Sequence, residues 1–142
     1  MPYSTQHTVR FAETDPAGIV FFARFFEYAH LAYEDMLVAG GLPLSHFFDS
    51  QCGMPLVHSE ATYSKPCRLG EILRLDLAVD KIGNRSIRYA VQIFGPDNVL
   101  RARVVLTHAI LDLKVGKTMA VPEELLAALR ASGALTSSEE GP

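Results

Sequence analysis

The sequence describes an α+β domain of two layers, one long amphipathic helix laid against an antiparallel sheet. Two runs in its second half alternate apolar and polar residues with period two, and a stretch in its first third repeats apolar residues at spacings of three and four. Period two belongs to half-buried strands, and a 3.6-residue period to a helix with one apolar face. No internal repeat and no linker divides the chain. Residues 1–135 are therefore expected to form one domain, followed by a polar, frayed tail at 136–142.

Thr5 to Ala12 reads as a first strand. Phe22 to Val38 reads as the long helix, with Phe22, Phe26, Ala29, Tyr33 and Met36 on its apolar face and Glu27, Glu34 and Asp35 elsewhere around the wheel. Gly40-Gly41 stops it and Pro43 prevents its resumption. Pro55 to Lys65 reads as a strand ended by Pro66. Leu73, Leu75, Leu77 and Val79 alternate with Arg74, Asp76, Ala78 and Asp80. Ile87, Tyr89, Val91 and Ile93 alternate with Ser86, Arg88, Ala90 and Gln92. Ile82-Gly83-Asn84-Arg85 joins these two strands as a hairpin turn. Gly95-Pro96-Asp97-Asn98 turns into a long strand from Val99 to Leu113, and Pro122 opens a short helix ahead of Glu123 and Glu124. A sheet with one helix on one face leaves edges open, so association through an edge or a face is expected.

The formal net charge of −3 argues against a nucleic-acid groove, because phosphate binding leaves a basic footprint. No apolar run approaches the roughly 20 residues that span a bilayer. With two cysteines, Cys52 and Cys67, and no signal peptide at Met1-Pro2-Tyr3-Ser4, a cytoplasmic location with free thiols is expected. Nucleotide-binding glycine loops and a GxSxG nucleophile elbow are absent.

The most informative segment is Glu13-Thr14-Asp15-Pro16-Ala17-Gly18-Ile19-Val20-Phe21-Phe22. Asp-Pro starts a turn, which is the ordinary use of such an aspartate. Here the turn leads straight into the long helix, whose first N–H groups lack partners and attract negative charge. A carboxylate beside such donors is the minimum equipment for acyl transfer, and Phe21 and Phe22 supply an aromatic wall that would desolvate it. Glu13, two residues away, is expected to face solvent. His58 lies in a strand with Glu60 on the same face, where Glu60 can orient the imidazole; the alternative is a structural histidine. His7, His30, His46 and His108 show no metal-ligand spacing. Arg85, Arg88, Arg101 and Arg103 read as solvated surface, though a phosphorylated carrier such as coenzyme A wants a few such residues at the mouth of a site.

The run Thr14-Asp15-Pro16-Ala17-Gly18-Ile19-Val20, followed by an aromatic pair and a long helix, resembles the hot-dog-fold thioesterases of the 4-hydroxybenzoyl-CoA thioesterase type. The resemblance covers Thr8 to Leu129. Ala29 to Leu37, with Pro55-Leu56-Val57-His58, looks more like the branch that hydrolyses 1,4-dihydroxy-2-naphthoyl-CoA. It implies a curled antiparallel sheet wrapped around one long central helix and a homo-oligomer, dimer or tetramer, with sites at the subunit interface. It implies an acyl-CoA substrate, and neither cofactor nor metal. By position, Asp15 matches the catalytic aspartate, as nucleophile or general base. The N–H of Phe22 would hold the oxyanion. Phe21, Val57, His58 and Ser59 would line the acyl pocket, and Arg85 would meet the coenzyme A phosphates. Relatives often carry Tyr or His in the aromatic pair, where this chain has two phenylalanines. Two other readings stay open: a general short- or medium-chain thioesterase for acyl-CoA or acyl-carrier protein, and a non-catalytic acyl-CoA binding module.

Overall fold

In the computed structural model, which describes residues 2–135, five strands form one antiparallel sheet. They are β1 (Tyr3–Thr8), β3 (Leu56–Tyr63), β4 (Ile72–Ile82), β5 (Ser86–Phe94) and β6 (Leu100–Ala109), in the spatial order β1, β4, β5, β6, β3. β2 (Cys52–Gly53), β7 (Leu111–Asp112) and β8 (Lys117–Thr118) make a second, small sheet. The helices are α1 (Arg24–Ala39), α2 (Ser45–Ser50) and α3 (Glu123–Ser132). The expected tail at 136–142 lies outside the described residues.

The alternation read from the sequence sets the core. Leu73, Leu75, Leu77 and Val79 of β4 and Ile87, Tyr89, Val91 and Ile93 of β5 are all buried on one face. Ala102, Val104 and Leu106 of β6 continue it. α1 lies across β1, β4, β5 and β6 and buries Phe25, Tyr28, Ala29, Ala32, Tyr33, Met36 and Leu37 against that face. The Tyr33 and Tyr89 rings stack 4.7 Å apart and tie helix to sheet; such a pair is worth about 0.5–1.5 kcal/mol beyond its buried area.

Several element boundaries differ from those expected. The first strand stops at Thr8 instead of Ala12, because Phe11–Glu13 turns as a 3-10 helix once the Glu13 carboxylate accepts the N–H of Arg10. α1 starts at Arg24, so Phe22 falls before the helix and stays 58% exposed, and Phe26 is only half-buried. The true apolar stripe runs one residue earlier at its start, through Phe25. The strand expected over 99–113 breaks at Ile110, whose N–H turns to the Arg85 carbonyl. Pro122 caps α3 from outside, with extended backbone, instead of occupying its first turn. α2, β2 and β8 had no periodic signal and were not expected, while β7 keeps two residues of the strand expected over 99–113.

β1 and β3 are the sheet's two edges. β3 is unusual in being exposed on both faces, with only Ala61 half-buried. Leu56 and Val57 are 50% and 62% exposed. A one-residue bulge falls between Leu56 and His58.

Candidate active site

Asp15 heads a tight loop. Its N–H donates to the Ile19 carbonyl at 2.9 Å, its carbonyl accepts from Gly18 at 2.9 Å, and Oδ1 accepts the Ala17 N–H at 2.8 Å. The turn expected of Asp-Pro is therefore present, and it uses one carboxylate oxygen. Gly18 sits at φ +80°, where a side chain would be strained. Asp15 is half-buried and lines a cavity of about 470 Å³ whose apolar walls are Phe11 and Leu69. Phe21 and Phe22, expected beside the carboxylate, are not among its walls.

Both arms of the loop are anchored. On the exit side, the Val20 N–H donates to the Cys67 carbonyl and the Phe21 N–H to the Glu13 carbonyl. On the entry side, Glu13 is not the solvated residue expected. The 3-10 turn rolls it inward, its side chain is 13% exposed, and it accepts from His7 Nε2, the Tyr28 hydroxyl and the Arg10 N–H at 2.8 to 3.0 Å. Burial opposes its ionisation, but these donors outweigh burial and hold the carboxyl below its usual range. Burial, reinforced by Glu13, pushes the Tyr28 hydroxyl up, so Tyr28 remains a donor.

No side chain caps the start of α1. Phe21 to Ala23 form a turn leading into it, and among the described residues the N–H groups of Phe22 and Ala23 have no backbone acceptor. The Phe21 and Phe22 rings lie 4.8 Å apart. Phe22 borders a second cavity, of about 350 Å³, with Tyr63 opposite. The Tyr63 hydroxyl donates to the Phe22 carbonyl at 3.4 Å and its ring packs edge-on to Phe25. Tyr63 had no signal in the sequence, since the contact spans 41 residues.

Val57, His58 and Ser59 lie at the other end of β3, all exposed. His58 Nε2 is 3.6 Å from Glu60, a loose contact between two side chains more than half exposed, so Glu60 does not fix the imidazole. Arg85 is exposed on the β4–β5 turn with a 3.3 Å contact to Thr118 Oγ1. One chain thus divides the expected residues into two groups. Phe22 lies at the Tyr63 end of β3 with Phe21 beside it, and the Asp15 loop runs into them through Ile19 and Val20. Val57, His58, Ser59 and Arg85 gather at the Leu56 end, since His58 pairs with Thr107 and Thr107 with Arg88. The five steps from His58 to Tyr63 span about 17 Å at strand rise.

Near the Leu56 end a cavity of about 440 Å³ lies between α1 and α2, walled by Tyr33, Leu37, Phe47, Phe48 and Met54. His108 borders it. Its Nδ1 donates to the Met54 carbonyl at 2.8 Å and its Nε2 faces the Tyr89 hydroxyl at 3.1 Å. Burial pushes its pKa down, so the neutral ring is the native form. No helix among the described residues is long and apolar enough to cross a membrane.

Residues 9–129 match the family model of the thioesterase-like superfamily. The chain belongs to that family, and its antiparallel sheet with one long helix is the hot-dog fold of thioester hydrolases. Within the family it resembles 1,4-dihydroxy-2-naphthoyl-CoA hydrolases. It is 29% identical to the one from Nostoc punctiforme over 127 residues, covering 89% of this chain and 85% of that protein. It is 30% identical to the one from Rippkaea orientalis, covering 88% and 93%. The crystal structure of a 1,4-dihydroxy-2-naphthoyl-CoA thioesterase from Synechocystis superposes with a TM-score of 0.85 at 25% identity, covering 92% of this chain and 96% of the other. A gentisyl-coenzyme A thioesterase, 19% identical with a TM-score of 0.79 over 87% and 98%, shares the fold.

Proposed function

We propose that this protein hydrolyses an aromatic acyl-CoA, of the hydroxybenzoyl or dihydroxynaphthoyl type, to the free acid and coenzyme A. The observation that carries this reading is the likeness over most of the chain to 1,4-dihydroxy-2-naphthoyl-CoA hydrolases, with Asp15 in the loop that opens α1. Asp15 either attacks the thioester carbonyl, giving an anhydride that water then opens, or takes a proton from the attacking water. In both routes the C–S bond breaks and the thiolate leaves and is protonated; water either supplies the acid's new oxygen directly or opens the anhydride, which releases the acid and regenerates the Asp15 carboxylate. The Phe22 N–H, at a helix start without a side-chain cap, supports the developing oxyanion.

The reading requires a homo-oligomer, at least a dimer. Antiparallel pairing of β3 with β3 of a second copy would set the Tyr63 end of one chain against the Leu56 end of the other. Asp15, Phe21 and Phe22 of one subunit would then share a site with Val57, His58 and Ser59 of its partner, and Arg85 would stand at its mouth for a coenzyme A phosphate. The doubly exposed β3 supports this, because an edge with unpaired backbone groups invites pairing. Two free, buried cysteines accord with a reducing, cytoplasmic location.

The test is turnover of a panel of aromatic and straight-chain acyl-CoAs by wild type and Asp15→Asn. Hydroxylated aromatic thioesters should lead in kcat/KM, and Asp15→Asn should lower kcat by at least about 10²–10⁴-fold, the worth of a general base, while melting with the wild type. An Asn variant within about tenfold of wild type, a barrier change of only ~1.4 kcal/mol, removes Asp15 from the chemistry. Equal or better kcat/KM for decanoyl-CoA would make the chain a general acyl-CoA thioesterase, and binding without turnover of any thioester would make it an acyl-CoA binding module.

A further inference from the structure

We propose that Glu13 is a positioning residue for the Asp15 loop, acting through a half-buried cluster with His7 and Tyr28; this rests on the Asp15 reading above. Glu13 lies two residues before Asp15, and both halves of the residue are engaged. Its carboxylate joins three elements: His7 Nε2 from β1 at 2.9 Å, the Arg10 N–H from the 3-10 turn at 2.9 Å, and the Tyr28 hydroxyl from α1 at 2.8 Å. Its carbonyl accepts the Phe21 N–H at 3.0 Å, on the far side of the loop. One residue therefore fixes where the loop leaves β1, where it returns, and how it stands against the first turns of α1.

The cluster is more than a surface ion pair. The His7 and Glu13 side chains are 16% and 13% exposed, Tyr28 is wholly buried, and the His7 and Tyr28 rings lie 4.7 Å apart. A carboxylate so enclosed is stable only with donors around it, and charge-assisted bonds of this kind are short and directional. The exit arm has its own anchor. The Val20 N–H donates to Cys67, and Arg101 grips the adjacent Pro66 carbonyl at 2.7 Å. Between these two fixed points the loop has little freedom, so the free Oδ2 of Asp15 and the Phe22 N–H keep a constant mutual geometry. Loosening the entry arm would displace the carboxylate while leaving distant binding surfaces untouched.

The experiment compares Glu13→Gln, Tyr28→Phe, Asp15→Asn and the Glu13→Gln/Asp15→Asn double variant. All are assayed well below their melting temperatures with the panel thioester that the wild type turns over fastest. A misplacement of about 1 Å can cost on the order of 10²-fold, so Glu13→Gln should lower kcat by about that factor with KM within about twofold. Tyr28→Phe removes one donor, keeps the charge and conserves volume, so it stays folded if Glu13→Gln does not. It should lower kcat by about 3–10-fold, again with little change in KM. Because Glu13 acts through Asp15, the double variant should be no slower than Asp15→Asn alone. Wild-type kcat in Glu13→Gln beside an inactive Asp15→Asn overturns the positioning role alone. So does a multiplicative loss in the double variant, or a rise in KM that accounts for the fall in kcat/KM. An active Asp15→Asn overturns the Asp15 reading itself.

Discussion

Burial pushes the Cys67 thiol up to about 11, and the side chain has no exposed surface. Cys52 is also buried and its thiol is likewise raised by burial. Thiolates are the reactive form, so a disulfide reagent should label neither cysteine in the native protein and both after unfolding. Rapid labelling of native protein would contradict the packing around these sulfurs. The practical result is that free thiol released during turnover can be read as coenzyme A alone. His108 makes the second test. Its folded pKa lies below its ordinary value of 6.5 because burial disfavours the cation. The unfolded chain therefore binds the proton first as pH falls. The stability this histidine contributes is complete above about 6.5 and is lost as pH drops toward its folded value. His108→Gln should melt lower than wild type at pH 7.5, and its melting temperature should fall less steeply between about pH 6.5 and 5. Parallel curves would mean that His108 is not the group responsible.

Among the elements, the end of α1 at Gly40 lies directly against the backbone of α3. A Cβ there would overlap the Ala128 carbonyl, and backbone cannot yield as a side-chain tip can. Gly40→Ala should therefore cost about 1–3 kcal/mol, in the range of overpacked sites. Chemical denaturation would measure it, and an unchanged midpoint would show that α3 moves aside freely. The strands of the core were readable from residues alone, because β4 and β5 bury one full face and period two follows from that. The helix was readable too, yet Phe22 was misplaced, since an aromatic at a helix start looks the same whether it packs inward or waits in solvent. α2, β2, β7 and β8 are too short to carry a period. At the site, the Asp15 turn was visible because Asp-Pro-Ala-Gly is local chemistry. Glu13 was not, because its partners His7 and Tyr28 converge on it only after β1, the 3-10 turn and α1 have packed. Tyr63 was hidden for the same reason.

Considered entire, the molecule has one edge unfit for solvent. β3 carries Leu56, Val57 and Tyr63, each 45% exposed or more, beside unpaired backbone groups. A charge placed on such an edge opposes pairing. On the proposed β3–β3 pairing, Leu56→Lys should give monomers in light scattering, keep the circular dichroism of the fold and abolish turnover, since each shared site would lose half its residues. A Leu56→Lys protein that is monomeric and fully active would show that one chain suffices.

The wall that α2 gives to the cavity beside Tyr33 has an evolutionary consequence. None of the residues of α2 is buried, and Phe48 is 84% exposed. Substitutions at Phe48 can reshape that cavity without opening a void in the core, where each lost methylene would be felt, whereas Phe47 packs partly against the core. Lineages can therefore vary the lining of that cavity at Phe48 at little risk to folding.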